Sequence, residues 1–382
     1  MIISSPLAAP SRTRTPVTNP HDARIYRLDG VRAIAIALVV AHHFDFLPLG
    51  WTGVHLFFVL SGMLITGILR QSRDERGYWC PFYLKRATRI LPPMLIAILS
   101  AAAYFSIPWR KVGLYYIFFA ANFAETLYRG ESKTLAVMWS LAVEEQFYFL
   151  WPFAVRFLNR RQLIRLLIVI LAVEPIGRAL ATPSFSTSWP IFFLTPFQLD
   201  GLAAGCLLSL IFESATATDW LRLRCVKLLF MSLFVFSVFS LLPRFHRADN
   251  SILFNSLGYS LVVAIAACFI AFILLRPDNV ASRILSSSGI VFVGMISYGI
   301  YLFHPLVMEL AGELLKTVGF YHQRTMAPVT IAAIVAISWL SFRFYEQPII
   351  RWGRYKAAEH QRKQGRYQCE SLLAESSQTT TQ

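Results

Sequence analysis

Apolar stretches of roughly twenty residues recur from one end of this chain to the other, and they constrain its fold more than any single motif. A helix needs about 20 such residues to cross the hydrocarbon layer of a bilayer. A water-soluble helical protein of this size would show amphipathic stripes instead. Composition agrees: the 382 residues are 56% hydrophobic, 14% aromatic and only 15% charged, far oilier than a soluble domain. The expected fold is all-α and polytopic, with about ten transmembrane helices at 30–48, 52–70, 90–107, 136–157, 163–181, 191–212, 226–242, 252–275, 285–315 and 326–347. The span at 285–315 is long enough to be broken or tilted.

The net charge of +15 does not point to nucleic acid, because the cations lie in short clusters between apolar runs. Most of the 36 Lys and Arg residues fall on the side shared by both termini, including Arg70, Arg73, Arg76, Lys85, Arg86 and Arg89 in one loop and "RWGRYKAAEHQRKQGR" in the tail. By the positive-inside rule both termini are expected in the cytoplasm. Residues 1–26 lack an apolar signal-peptide core and are expected to form a disordered cytoplasmic tail. Residues 27–350 then form the membrane domain and 351–382 a basic, polar cytoplasmic tail, disordered beyond Tyr355. Five cysteines, Cys80, Cys206, Cys225, Cys268 and Cys369, show neither a CxxC pair nor metal-type spacing, so no disulfide framework and no metal site are expected.

One apolar segment, "GLYYIFFAANFAE" over 113–125, is too short to cross. Making it a span would also push the basic stretch "RFLNRRQLIR" to the outside, so a re-entrant or interfacial course is expected.

Ionisable groups inside spans are costly and therefore mark functional candidates. Arg32 and His43 are eleven residues apart, about 20° from the same helix face and separated by about 16 Å of rise. The adjacent His42 points about 100° away. In "GVHLFFVLSGMLIT", Ser61 and Gly62 form a small-residue notch that admits a helix or a ligand. Arg86 and Arg89 lie one turn apart beside Lys85, an arrangement suited to phosphate but equally to positive-inside bias. Glu144 and Glu145 interrupt the apolar run "MWSLAVEEQFYFLWP". A buried carboxylate near His43 would fix its tautomer and stabilise imidazolium. Asp200, Tyr298, Tyr301, His304, Arg343 and Glu346 also fall in or beside spans; for His304, followed by Pro305, a structural kink is at least as good an explanation as chemistry.

Taken in order, "LDGVRAIAIALVVAHH", "GVHLFFVLSGMLIT", "FYLKRATRILPP", "MWSLAVEEQFYFLWP", "FQLDGLAAGCLLS", "ISYGIYLFHPLV" and "FYEQP" make the chain resemble the acyltransferase-3 family of integral membrane O-acyltransferases. That family modifies sugars and other hydroxylated molecules in envelope polysaccharides, glycolipids and some antibiotics. The resemblance implies an arginine, ten residues and a histidine in the first helix, which selects Arg32 and His43 and leaves His42 aside. It also implies the Arg86/Arg89 pair as a contact for coenzyme phosphates and the glutamate-containing helix with Glu144 and Glu145. His55 stands where the family often has an acidic residue. The expected member is one without a fused SGNH hydrolase-like domain.

The expected function is transfer of an acyl group, most simply acetyl, from acyl-CoA to a hydroxyl of a saccharide, glycolipid or related acceptor at a bacterial cytoplasmic (inner) membrane. Arg32, Lys85, Arg86 and Arg89 are the expected coenzyme-binding residues, and acyl-CoA is a donor substrate rather than a resident cofactor. His43 is the expected general base, oriented by Glu144 or Glu145; a covalent acyl-imidazole remains open. The alternative is a transporter or flippase of lipid-linked saccharide, in which the same charges line a path.

Overall fold

The structure, a computed structural model, describes residues 26–75, 77–317 and 326–379. It is 84% helix, with no strand among the described residues. Helix α1 (Tyr26–His43) turns through Pro48–Trp51 into α2 (Thr52–Gln71), and α3 (Trp79–Tyr104) follows. Two short helices, α4 (Trp109–Ile117) and α5 (Ala121–Leu127), lead to α6 (Met138–Phe157) and α7 (Arg160–Ala181). Next come α8 (Trp189–Phe193), α9 (Leu199–Phe212), α10 (Ala215–Ser240), α11 (Tyr259–Leu275), α12 (Val280–Leu285) and α13 (Ser288–Met295). The chain closes with α14 (Ser297–Thr317), α15 (Ala327–Leu340) and α16 (Gln347–Thr379). Apart from Tyr26, the N-terminal tail lies outside the described residues.

Among the described residues, five helical segments are long and apolar enough to cross a membrane: Pro48–Gln71, Trp79–Tyr104, Ala215–Ser240, Phe254–Leu275 and Ala327–Gln364. The pair α13 and α14, bent by 67° at its junction, makes a sixth if counted as one span. The other four expected spans fall on α1, α6, α7 and the α8–α9 region. Charges lower the apolarity of the first three: Asp29 and Arg32, Glu144 and Glu145, Glu174 and Arg178. The expected single span over 191–212 is divided, because the Thr195–Phe197 turn around Pro196 separates α8 from α9. Outward-facing Leu223, Phe230 and Phe234 on α10 are 73%, 67% and 65% exposed, a surface suited to lipid and not to water. The protein is a multi-pass membrane protein.

Local sequence explains several boundaries. Helix α7 starts with a reciprocal cap: Asn159 Oδ1 accepts from the Gln162 amide at 3.0 Å, and Gln162 Oε1 accepts from the Asn159 amide at 2.9 Å. The segment 113–125 is broken, with Phe119 in the left-handed region at φ 53°. Its freed carbonyl is not orphaned, since Gln146 Nε2 donates to Phe119 O at 2.8 Å and to Asn122 Oδ1 at 3.1 Å. The break in the 285–315 region falls between α13 and α14, whereas α14 runs through Pro305 without interruption. Helix α3 begins well before the expected 90, which places Lys85, Arg86 and Arg89 on its early turns.

The core is centred on α2. Gly62 of α2 faces the backbone of α9 at Leu202, and Gly205 of α9 faces the backbone of α2 at Val59, so a side chain at either glycine would strike a carbonyl. The notch expected in α2 therefore admits a helix at Gly62. Where disorder was expected beyond Tyr355, the described residues are helical as far as Thr379. Helix α16 continues from the last span and docks on α3, with Ala357 fully buried and Gln361 Nε2 donating to Glu75 Oε2 at 2.8 Å.

Candidate active site

Because α1 and α6 run in opposite directions, their polar residues fall at two levels of the bundle. At one end, Lys85, Arg89, Arg351 and Arg354 surround a cavity of about 780 Å³ together with Asp29 and Arg32. Arg32 Nη1 donates to Asp29 Oδ1 at 2.8 Å, so this cation is already paired. Deeper lies a cavity of about 260 Å³ lined by Arg32, Arg86, Arg89, Ser61, Glu144 and Tyr148 and reaching Val54 and Tyr301. Ser61 donates to Glu144 across the α2–α6 contact. The Arg86 guanidinium lies 5.2 Å from the Tyr148 ring centre. Glu145 Oε1 is buried without a hydrogen-bond partner.

The third cavity, about 700 Å³, occupies the opposite end and holds His42 and His43 beside Trp51, Trp139 and Trp189. Val54 and Tyr301 line both this cavity and the arginine-lined one, so a wall of two residues separates them. Tyr301 is fixed there, donating to Val137 O at 3.0 Å and contacting Ser140 Oγ at 2.6 Å. His43 Nδ1 lies 2.8 Å from Val39 O. A carbonyl only accepts, so the proton resides on Nδ1 and the Nε2 lone pair is free. His304 is held the same way, with Nδ1 donating to Ile300 O at 3.0 Å, and its ring meets that of His43 edge-on at 4.6 Å. His42 Nδ1 instead reaches Leu47 O at 3.3 Å.

The expected carboxylate–imidazole hydrogen bond is not formed. The Val39 carbonyl occupies His43 Nδ1, and Ser61 engages Glu144. The reason is depth: Val137 and Ser140 of the α6 region lie beside Tyr301, and Glu144 is about 6–10 Å further along the helix toward the arginines. What meets His43 is His304, for which the sequence left a proline kink and chemistry both open.

A third polar group lies behind the histidine cavity. Arg178 is fully buried and bonds Asp200 Oδ2 at 2.7 Å, Glu174 Oε1 at 3.2 Å and Ser260 Oγ at 2.6 Å, tying α7, α9 and α11 together. His55 is buried among Trp51, Phe58, Phe192 and Tyr259 with neither ring nitrogen hydrogen-bonded. It lines neither cavity.

The arrangement of a basic mouth, a buried arginine–carboxylate chamber and a histidine chamber can be set beside known proteins. A family model described as an acyltransferase domain matches residues 25–343. The chain belongs to this acyltransferase family. Among its relatives, "O-acetyltransferase OatA" of Staphylococcus aureus (strain NCTC 8325 / PS 47) is 26% identical over 369 residues, a match covering 89% of this chain and 59% of the relative. "Peptidoglycan O-acetyltransferase OatA" of Listeria monocytogenes is 27% identical over 355 residues, covering 85% and 56%. The chain thus spans little more than half the length of the curated relatives it matches. No solved structure matches the chain.

Within this acyltransferase domain, the structure brings together Arg32, Arg86, Arg89 and Glu144, places Lys85 at the mouth, and sets His43 apart in its own chamber. Sequence reasoning missed Arg351 and Arg354 at the mouth, the Glu174–Arg178 pair, and Arg129 and Arg247 beside the tryptophans. Glu174 and Arg178 had a usable signal, an i,i+4 ion pair inside an apolar span. The two loop arginines had none.

Proposed function

We propose that the protein is a membrane O-acyltransferase that moves an acyl group, most simply acetyl, from acyl-CoA to a saccharide hydroxyl. One observation carries this: the arginine chamber and the His43 chamber meet at Val54 and Tyr301. The coenzyme phosphates would meet Lys85, Arg89, Arg351 and Arg354 at the mouth and Arg86 just inside it, with the pantetheine arm extending past Glu144 toward Tyr301. Arg32, held by Asp29, contributes less than the other cations, which form no ion pair among the described residues.

At the shared wall, His43 Nε2 takes the proton of the acceptor hydroxyl as its oxygen attacks the thioester carbonyl. The C–S bond breaks, and the coenzyme thiolate leaves and is reprotonated by the imidazolium. The Val39 carbonyl holds the tautomer that a carboxylate supplies in other sites. His304 packs the ring in place. Glu144 balances the arginine charge when no donor is present. The charge distribution further supports a cytoplasmic-membrane location with both termini and the basic mouth in the cytoplasm. Acyltransferase membership supports transfer over the transport of lipid-linked saccharide.

The test is transfer of labelled acetyl from acetyl-CoA to a saccharide acceptor by His43→Ala in correctly folded protein. General-base catalysis predicts a loss of about 10²- to 10⁴-fold. Turnover near the wild-type value would overturn the assignment.

A further inference from the structure

The histidine chamber carries more positive charge than the transfer reaction requires. Arg129 and Lys133 enter it from the loop between α5 and α6, and Arg247 enters from the turn after α10. On the topology proposed above, these loops lie outside, where Lys and Arg are normally sparse. The three cations nevertheless converge on one cavity.

Aromatic rings hold two of them in place. The Arg129 guanidinium is 3.4 Å from the Trp189 ring centre, and that of Arg247 is 4.8 Å from the same ring, 5.5 Å from Trp51 and 4.7 Å from Phe192. Among the described residues neither arginine has a carboxylate partner within ion-pair distance. The carboxylate on the wall, Glu125, accepts a hydrogen bond from Tyr116 at 3.0 Å. Burial, with the nearby Arg129 charge adding to it, holds the Arg247 guanidinium below its ordinary pKa. An anion placed between the two arginines would relieve that strain and receive planar, two-pronged donors. The tryptophans add flat apolar faces suited to the C–H face of a pyranose ring.

We infer that this chamber binds a saccharide bearing an anionic group, carboxylate or phosphate, with the anion held by Arg129 and Arg247 and the sugar lodged among the chamber's tryptophans. A hydroxyl of that sugar is thereby presented to His43. This inference rests on the acyl-transfer proposal and names the acceptor class for the same site.

The experiment uses three methyl glycosides that differ only at C6: glucose, glucuronate and glucose 6-phosphate. Binding to the protein in detergent is read by quenching of tryptophan fluorescence. At least one anionic glycoside should bind ten-fold or more tightly than the glucose compound, and the tighter of the two identifies the anion. Arg129→Gln with Arg247→Gln should remove the discrimination, and Arg129→Lys with Arg247→Lys should retain part of it. Equal binding of all three, binding of none, or discrimination surviving in the glutamine variant overturns the inference. Coenzyme A binding to the wild type is measured in parallel. Failure of coenzyme A with intact sugar discrimination sinks the transfer proposal alone, and the reverse sinks the acceptor assignment alone.

Discussion

Replacing Arg178 with methionine tests the bundle behind the histidine chamber. The substitution keeps length and apolar volume but leaves Glu174 and Asp200, with side chains only 3% and 2% exposed, without their cation. Removing one partner of a buried ion pair costs about 3–5 kcal/mol, which lowers the folded-to-unfolded ratio by roughly 10²- to 10⁴-fold. At about 2–4 °C per kcal/mol, the thermal midpoint should fall by roughly 6–20 °C. A thiol-reactive fluorogenic dye reads this directly, because Cys206 and Cys225 are fully buried and react only on unfolding, with exposed Cys80 giving the baseline. Neutralising all three residues together, as Glu174→Gln, Arg178→Met and Asp200→Asn, removes the uncompensated charge and should recover most of the loss. The carboxamide introduced by Asp200→Asn would still accept the bond that Gly201 N donates to Asp200 Oδ1 at 2.8 Å. An Arg178→Met midpoint within a degree or two of wild type would refute the argument, as would a triple variant less stable than the single one.

Other outcomes follow from the same geometry. Arg86→Gln with Arg89→Gln removes two charge-assisted phosphate contacts, each worth about 1.5–3 kcal/mol, so the KM for acetyl-CoA should rise by about 10²-fold or more. Arg32→Gln should raise it far less, because Asp29 already engages that side chain; equal effects in steady-state kinetics would contradict the pairing argument. His304→Ala should lower kcat with little change in KM for the donor, since its ring supports His43 and lines neither chamber; a pure KM effect would assign it to binding. Burial pushes the Glu125 carboxyl up to about 7, against the opposing Tyr116 hydrogen bond and the Arg129 charge. That acid is neutral below pH 7 and ionised above it, so glucuronate affinity should fall several-fold between about pH 6 and pH 8. Glu125→Gln separates this from the histidines and Lys133 on the same wall, and an unaltered pH profile in that variant would remove Glu125 from the account.

Helix geometry made part of the site legible from sequence. The eleven-residue spacing put Arg32 and His43 on one face, and they line successive chambers along α1. Arg86 and Arg89 were readable as a one-turn pair, and the short run at 113–125 was readable as something other than a crossing. Partnerships were not readable. Two carboxylates inside a span suggested a match for the imidazole, but which residues share a level depends on how α6 slides against α1 and α2. That offset is set by packing such as the Gly62–Gly205 contact, which leaves no periodic mark. His304 was visible as an intramembrane histidine, yet only tertiary structure shows its ring against His43. Arg129 and Arg247 lie in loops, where an arginine lining a cavity and one facing solvent look alike. Hydropathy, for its part, undercounts α1 and α6 because the same polar residues that line the chambers lower the apolar score.

The mouth cavity unites Asp29 and Arg32, near the beginning of the described chain, with Gln347, Ile350, Arg351 and Arg354, near its end. During biosynthesis the helices that carry His43, Glu144 and the tryptophans leave the ribosome well before those last residues do. A chain made as far as α14 thus carries every residue that lines the histidine chamber but lacks part of the entrance at the other end. On the proposal above, capture of a polyanionic donor would wait until α16 has been made and has settled onto α3.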